Sequence, residues 1–143
     1  MTAAFKLSAR LIQSLILLGV AGTLLGACSS THSPEVGNWQ LTLEGYCTER
    51  YEFHADGTMV LYSPPELSKA RYSLESADEP GFYKLSFFIT EHNGEPSCYG
   101  ESGGGVGFEN AFYLRFEDAN KVMRLFSAPD LNSPSGAFLT REH

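Results

Sequence analysis

The stretch Gly37-Asn38-Trp39-Gln40-Leu41-Thr42-Leu43 sets how the rest of the chain is read. Trp39, Leu41 and Leu43 alternate with Gln40, Thr42 and Glu44. Successive side chains of a strand point to opposite faces, so this period of two predicts a strand with one buried and one wet face. The same period recurs downstream. Tyr51 and Phe53 alternate with Arg50, Glu52 and His54, and Ala70, Tyr72 and Leu74 with Lys69, Arg71 and Ser73. Phe112, Leu114 and Phe116 alternate with Tyr113, Arg115 and Glu117. Residues 82–90 are apolar on both phases and predict a more covered strand. Segments 59–62, 121–127 and 136–141 predict further strands, and 96–99 a short one.

The punctuation between these runs is that of hairpins. Asp56-Gly57 and Asn93-Gly94 each predict a tight turn joining two strands, because both pairs tolerate the positive φ such turns need. Residues 117–120 form a longer connection. Pro64-Pro65-Glu66-Leu67-Ser68 predicts a short helical turn, since proline suits a first helical turn. Glycines at 100, 103, 104, 105 and 107 mark a loop. No window carries helical periodicity with caps. The fold class is therefore all-β: a small antiparallel barrel of eight to nine strands, with a β-sandwich as the alternative. Closure is favoured because it leaves no exposed sheet edge.

Length and charge narrow the function classes. A chain of 143 residues is one domain, and a formal charge of −7 is a poor match for a nucleic-acid backbone. The N-terminus has its own logic. Lys6 and Arg10 precede an apolar run over 11–25, and no acid occurs before Glu35. That is the n-region and h-region of a secretory signal, predicted as a helix, and the run is short of the roughly 20 residues a permanent span needs.

The segment closes on Leu25-Gly26-Ala27-Cys28, which resembles the lipobox of bacterial lipoproteins. The resemblance implies cleavage before Cys28, a diacylglyceryl thioether on its sulfur and an acylated new amino group. It divides the chain into a signal peptide (1–27), a tether (28–36) and a β domain (37–143). Three acyl chains exceed the two signals that stable anchoring needs. Ser29 stands where enteric-type inner-membrane lipoproteins carry Asp, which implies the outer membrane, facing the periplasm. Nine tether residues reach about 15–18 Å, so the domain would sit close to the bilayer. Cys47 and Cys98 then remain as an even pair in an oxidising compartment and predict a disulfide, worth roughly 4 kcal/mol in the chain-entropy model.

Gly37-Asn38-Trp39 also resembles the G-x-W opening of lipocalins and their calycin relatives. That resemblance implies a barrel floor closed by Trp39, with Arg141 from the last strand packed over it. Phe53-x-x-Asp56-Gly57-Thr58 is similar to a segment of bacterial lipocalin-like domains. The mature chain as a whole looks like small proteobacterial lipoproteins with a Trp, a Cys47-Thr48-Glu49-Arg50-Tyr51-Glu52-Phe53 segment and a later cysteine. The chain departs from lipocalins in being shorter, with no room for their C-terminal helix.

Few features of the sequence could carry chemistry. Gly100-Glu101-Ser102-Gly103-Gly104 has the spacing of a serine nucleophile, but glycines follow it instead of the helix such an elbow requires. His54 and Asp56, with His92 and His143, have no metal-ligand spacing. No cofactor, no metal and no enzymatic step is therefore expected. Aromatic side chains are abundant, and most fall on the inward phase, where they fill a core or line a cavity. Tyr46, Tyr99 and Phe108 are not so assigned. They lie beside the two cysteines and the glycine loop, and they form the candidate binding surface. The expected function is that of an anchored envelope protein holding a small apolar ligand or peptide. The alternative is a protein-interaction module, an assembly accessory or an inhibitor. Small β-barrel lipoproteins that inhibit lysozyme carry a Ser-Gly-x-x-Tyr segment; Ser135-Gly136-Ala137-Phe138 is similar in its first two residues only.

Overall fold

The computed structural model of the chain describes residues 33–43, 47–100 and 104–143. The predicted signal helix, Cys28, most of the tether and Tyr46 lie outside the described residues. Eight strands follow in chain order: β1 (Gly37–Leu43), β2 (Cys47–Phe53), β3 (Thr58–Ser63), β4 (Glu66–Ser76), β5 (Tyr83–His92), β6 (Glu109–Glu117), β7 (Val122–Phe126) and β8 (Pro134–Arg141). Each pairs antiparallel with the next, and β8 returns to β1 through Trp39↔Arg141 and Gln40↔Thr140, so the sheet closes. The architecture is an up-and-down barrel of eight strands, and the hydrogen-bonded circuit excludes the sandwich.

The period-two runs become strands because one phase of each has a core to enter. Trp39, Leu114 and Met123 are fully buried, and Phe53, Met59, Leu85, Ile89 and Leu139 nearly so, in one continuous cluster. Burying a side chain of this size contributes roughly 1.5–3 kcal/mol. Phe82 and Phe126 are also buried but stand apart from that cluster. They stack edge to face at 5.0 Å, with the Arg115 guanidinium 5.2 Å from the Phe82 ring.

Three local expectations are corrected. Pro64-Pro65 does not open a helical turn: its peptide bond is cis, and the two prolines alone separate the β3 end at Ser63 from the β4 start at Glu66. Glu66, Ser68 and Ala70 then alternate inward with exposed Leu67 and Lys69, so the strand period overrides the helical reading of the prolines. Asn93-Gly94 does not join two strands tightly; it opens a long connection, 93–108, from β5 to β6. Residues 96–99 lie within that connection and are not a strand. The Asp56-Gly57 turn does join β2 to β3. His54 N–H donates to Thr58 O at 2.9 Å, and Asp56 Oδ1 accepts from the backbone and hydroxyl of Thr58.

The barrel floor is built at the β1–β8 seam. Trp39 Nε1 donates to Glu35 O at 2.6 Å, and the Arg141 guanidinium lies 4.3 Å from the Trp39 ring centroid. Arg141 also donates from Nη1 to Val36 O at 2.8 Å, from Nε to Asn120 O at 3.1 Å and from Nη2 to Pro34 O. The guanidinium passes so close to Gly37, at φ +128°, that a Cβ there would meet Nη1 at 2.7 Å. Glycine is needed at 37 for that approach as well as for the backbone angle.

Candidate ligand-binding cavity

Above the floor the barrel is hollow. A cavity of about 410 Å³ runs from the core to the opposite end. Its walls are side chains that the period-two phase turns inward: Phe53 from β2, Met59 and Leu61 from β3, Leu85 and Phe87 from β5. Phe112 from β6, Met123 and Leu125 from β7, and Leu139 from β8 complete them. The wall is thus largely apolar. Its size falls at the lower end of the range for small-molecule pockets, roughly 300–1,000 Å³.

The polar groups gather at the open end. Glu49 and Glu66 both line the cavity and are only 4% and 1% exposed. Pairings Arg50↔Tyr62 and Ser63↔Glu66 place both carboxylates at the same end of the β2–β3–β4 wall, on either side of Ser63. Tyr51 donates its hydroxyl to Glu49 Oε2 at 2.6 Å, and Ser68 donates to Glu66 Oε1 at 3.1 Å. Burial, and next the neighbouring Glu49 carboxylate, push the Tyr51 hydroxyl well above its ordinary pKa, so it stays a donor.

His92 supplies the remaining contact. Gly94 N–H donates to His92 Nδ1 at 2.8 Å, which leaves the ring proton on Nε2 to be donated to Glu66 Oε1 at 3.2 Å. His92 reaches this position through a bulge. Lys69 pairs with Glu91 while Ala70 pairs with Ile89, so Thr90 is an extra residue in β5 and its hydroxyl donates to Lys69 O. The extra residue lets both Ile89 and His92 turn inward.

Tyr99, Gly104 and Phe108 of the 93–108 connection lie at the open end, and the connection is tied down there through Cys98. The sulfurs of Cys47 and Cys98 are bonded, with Cα atoms 6.0 Å apart. Cys98 N–H donates to Ser63 Oγ at 3.1 Å, which fixes the same segment to β3. Tyr99 and Phe108 line the cavity rim at 39% and 40% exposure, and Phe108 packs 6.3 Å from Phe87. Gly104 lies directly under the Phe108 ring, where a Cβ would overlap it. The rim is therefore an aromatic collar over a carboxylate-lined neck.

The residues singled out in the sequence sort clearly. Trp39 and Arg141 meet at the floor, Cys47 and Cys98 at the neck, and Tyr99 and Phe108 at the rim. Cys28 and Tyr46, and residues 101–103 of the G-x-S-x-G segment, lie outside the described residues. His54 lies 3.7 Å from Glu52, and Asp56 serves its turn; among the described residues no three His, Cys, Asp or Glu side chains are placed to hold a metal ion. Glu49, Glu66 and His92 are candidate-site residues the sequence reading missed. Glu49 was readable, since it stands two places before Tyr51 in the same inward phase.

Taken together, barrel and cavity define a class: an up-and-down β-barrel closed at one end and hollow toward the other, where the mouth is tied by a disulfide. No family model, curated protein or solved structure matches the chain.

Proposed function

We propose that this chain is a binding protein of the bacterial envelope, anchored through a lipidated Cys28 at the outer membrane and holding a small, largely apolar ligand inside its barrel. The observation that carries the reading is the 410 Å³ cavity, walled by nine apolar side chains of β2, β3 and β5–β8, with its polar groups confined to the mouth. A barrel that served only as an outer interaction surface would gain stability by filling that space, because an unfilled interior forfeits packing. The lipobox-like Leu25-Gly26-Ala27-Cys28 supports the anchor. The protein carries its ligand without transforming it.

Native mass spectrometry of the domain, secreted through a periplasm without its lipid, tests the binding. The expected spectrum contains a bound small mass that disappears in Leu125→Trp, which fills the cavity. A ligand-free spectrum, with no uptake of added octan-1-ol, would refute the reading. Cys28→Ser tests the anchor separately: palmitate labelling is lost and uncleaved precursor accumulates. Normal labelling would refute that part.

A further inference from the structure

We propose that the cavity selects an organic cation: an amine whose ammonium group sits between Glu49 and Glu66 and whose apolar tail lies along Phe87, Phe112 and Leu125. The inference rests on the binding role proposed above and names the chemical class of its ligand.

The mouth of the cavity carries an imbalance of charge. Two carboxylates more than nine-tenths buried face one apolar cavity, and among the described residues neither has a Lys or Arg partner. The Tyr51 hydroxyl, the Ser68 hydroxyl and the Nε2–H of His92 reach them as hydrogen-bond donors, and of these three only the imidazole could carry positive charge. The imidazole cannot supply the missing charge without losing a bond, because Nδ1 already accepts from Gly94 N–H. Carboxylates withdrawn from water without a cation are costly to the fold. A barrel that keeps two of them at a cavity mouth is arranged to receive positive charge there, as a ligand ammonium supplies. The same pair disfavours fatty-acid carboxylates, which an apolar barrel would otherwise accept.

Size and shape set the rest. At about 30 Å³ per water-sized group, 410 Å³ accepts roughly a dozen heavy atoms. A primary amine with a short alkyl or arylalkyl tail fits, with three N–H donors for two carboxylates at the neck. Tyr99 and Phe108 at the rim add ring faces that attract a passing cation.

The test compares octylamine, octan-1-ol and octanoate, which share one tail, by titration calorimetry near neutral pH. Every strand pairing and core contact described lies within residues 33–143, so the domain without its anchor is the folded unit to use. Octylamine is expected to bind at least about tenfold tighter than octan-1-ol, and octanoate weakest. Glu49→Gln and Glu66→Gln should each reduce the amine's advantage over octan-1-ol severalfold. Leu125→Trp should abolish both. Equal binding of amine and alcohol, or preference for octanoate, would overturn the cation reading while leaving the cavity reading intact. Failure of all three ligands would overturn both, and octylamine binding that survives Leu125→Trp would place the amine on the outer surface. The comparison on the wild-type protein decides the question even if a Gln variant folds poorly.

Discussion

Replacing Arg141 with Ala should open the barrel at its seam. β1 and β8 pair over Trp39↔Arg141 and Gln40↔Thr140, whereas β4 and β5 pair from Ser68↔His92 to Ser76↔Tyr83. So short a seam depends on side chains, and Arg141 supplies most of them. Its guanidinium stacks 4.3 Å from the Trp39 centroid, a contact worth about 0.5–2 kcal/mol. It also donates to three carbonyls, Pro34, Val36 and Asn120. A net hydrogen bond is worth about 1 kcal/mol, and the half-exposed position argues for the lower part of each range. The sum is roughly 3 kcal/mol, or about 12 °C in melting temperature for a domain of this size. Trp39 is the sole tryptophan and is fully buried, so its fluorescence reports the floor directly. Arg141→Ala should lower the unfolding free energy from urea titration by that amount and admit iodide to Trp39 in the folded state. Arg141→Lys should recover the charge over the ring but not the forked donation, and give an intermediate value. A loss below about 1 kcal/mol with Trp39 still shielded would refute the reasoning and assign closure to strand pairing alone.

Three further predictions concern stability. Cys47→Ala/Cys98→Ala opens a loop whose ends are 51 residues apart and should cost about 4 kcal/mol against the oxidised protein, but little against the reduced one; an equal cost in both would argue against the bridge. Ala119 sits at φ +51° between Asp118 and Asn120, both also left-handed, at a cost of roughly 1–2 kcal/mol per residue. Ala119→Gly should therefore raise the urea midpoint, and an unchanged or lower one would show the turn to be unstrained. Burial, then the Glu35 carboxylate, push Tyr72 up to about 12, and Tyr51 is raised too. A folded pKa above the unfolded one leaves stability intact below the unfolded pKa, near 10. It is then lost as pH rises through the folded value, at up to about 1.4 kcal/mol per pH unit per group. Tyr72→Phe should flatten the fall in stability between about pH 10 and pH 12, and the wild-type slope in the variant would contradict it.

What the sequence disclosed follows from where its periods are clean. The runs at Trp39, Tyr51, Ala70 and Phe112 carry unbroken alternation, and each became a strand in the expected phase. Tyr99 and Phe108 were found by their nearness to Cys98 and the glycines, and both reach the rim. The polar neck was harder, for three physical reasons. Glu49 is a carboxylate on an inward phase, a placement that polarity alone argues against. Glu66 follows Pro64-Pro65, whose composition suits a helix start as well as the tight β3–β4 connection observed. His92 points inward only because Thr90 is an extra residue, and no single-sequence period reveals a bulge. The 93–108 connection carries no period, and what holds its described residues at the mouth is long-range: the Cys47–Cys98 bond, the Ser63 contact, Asn93 on Pro65 and Leu67, and Phe108 on Ile89.

The central claim is that the barrel interior is a binding site, and isotope-edited NMR tests it most directly. With saturating octan-1-ol, the account predicts nuclear Overhauser contacts from the alkyl chain to the methyl groups of Met59, Met123 and Leu139, all buried in the cavity wall. Contacts confined to outer-face residues such as Phe88 and Phe138, or none at saturation, would contradict it.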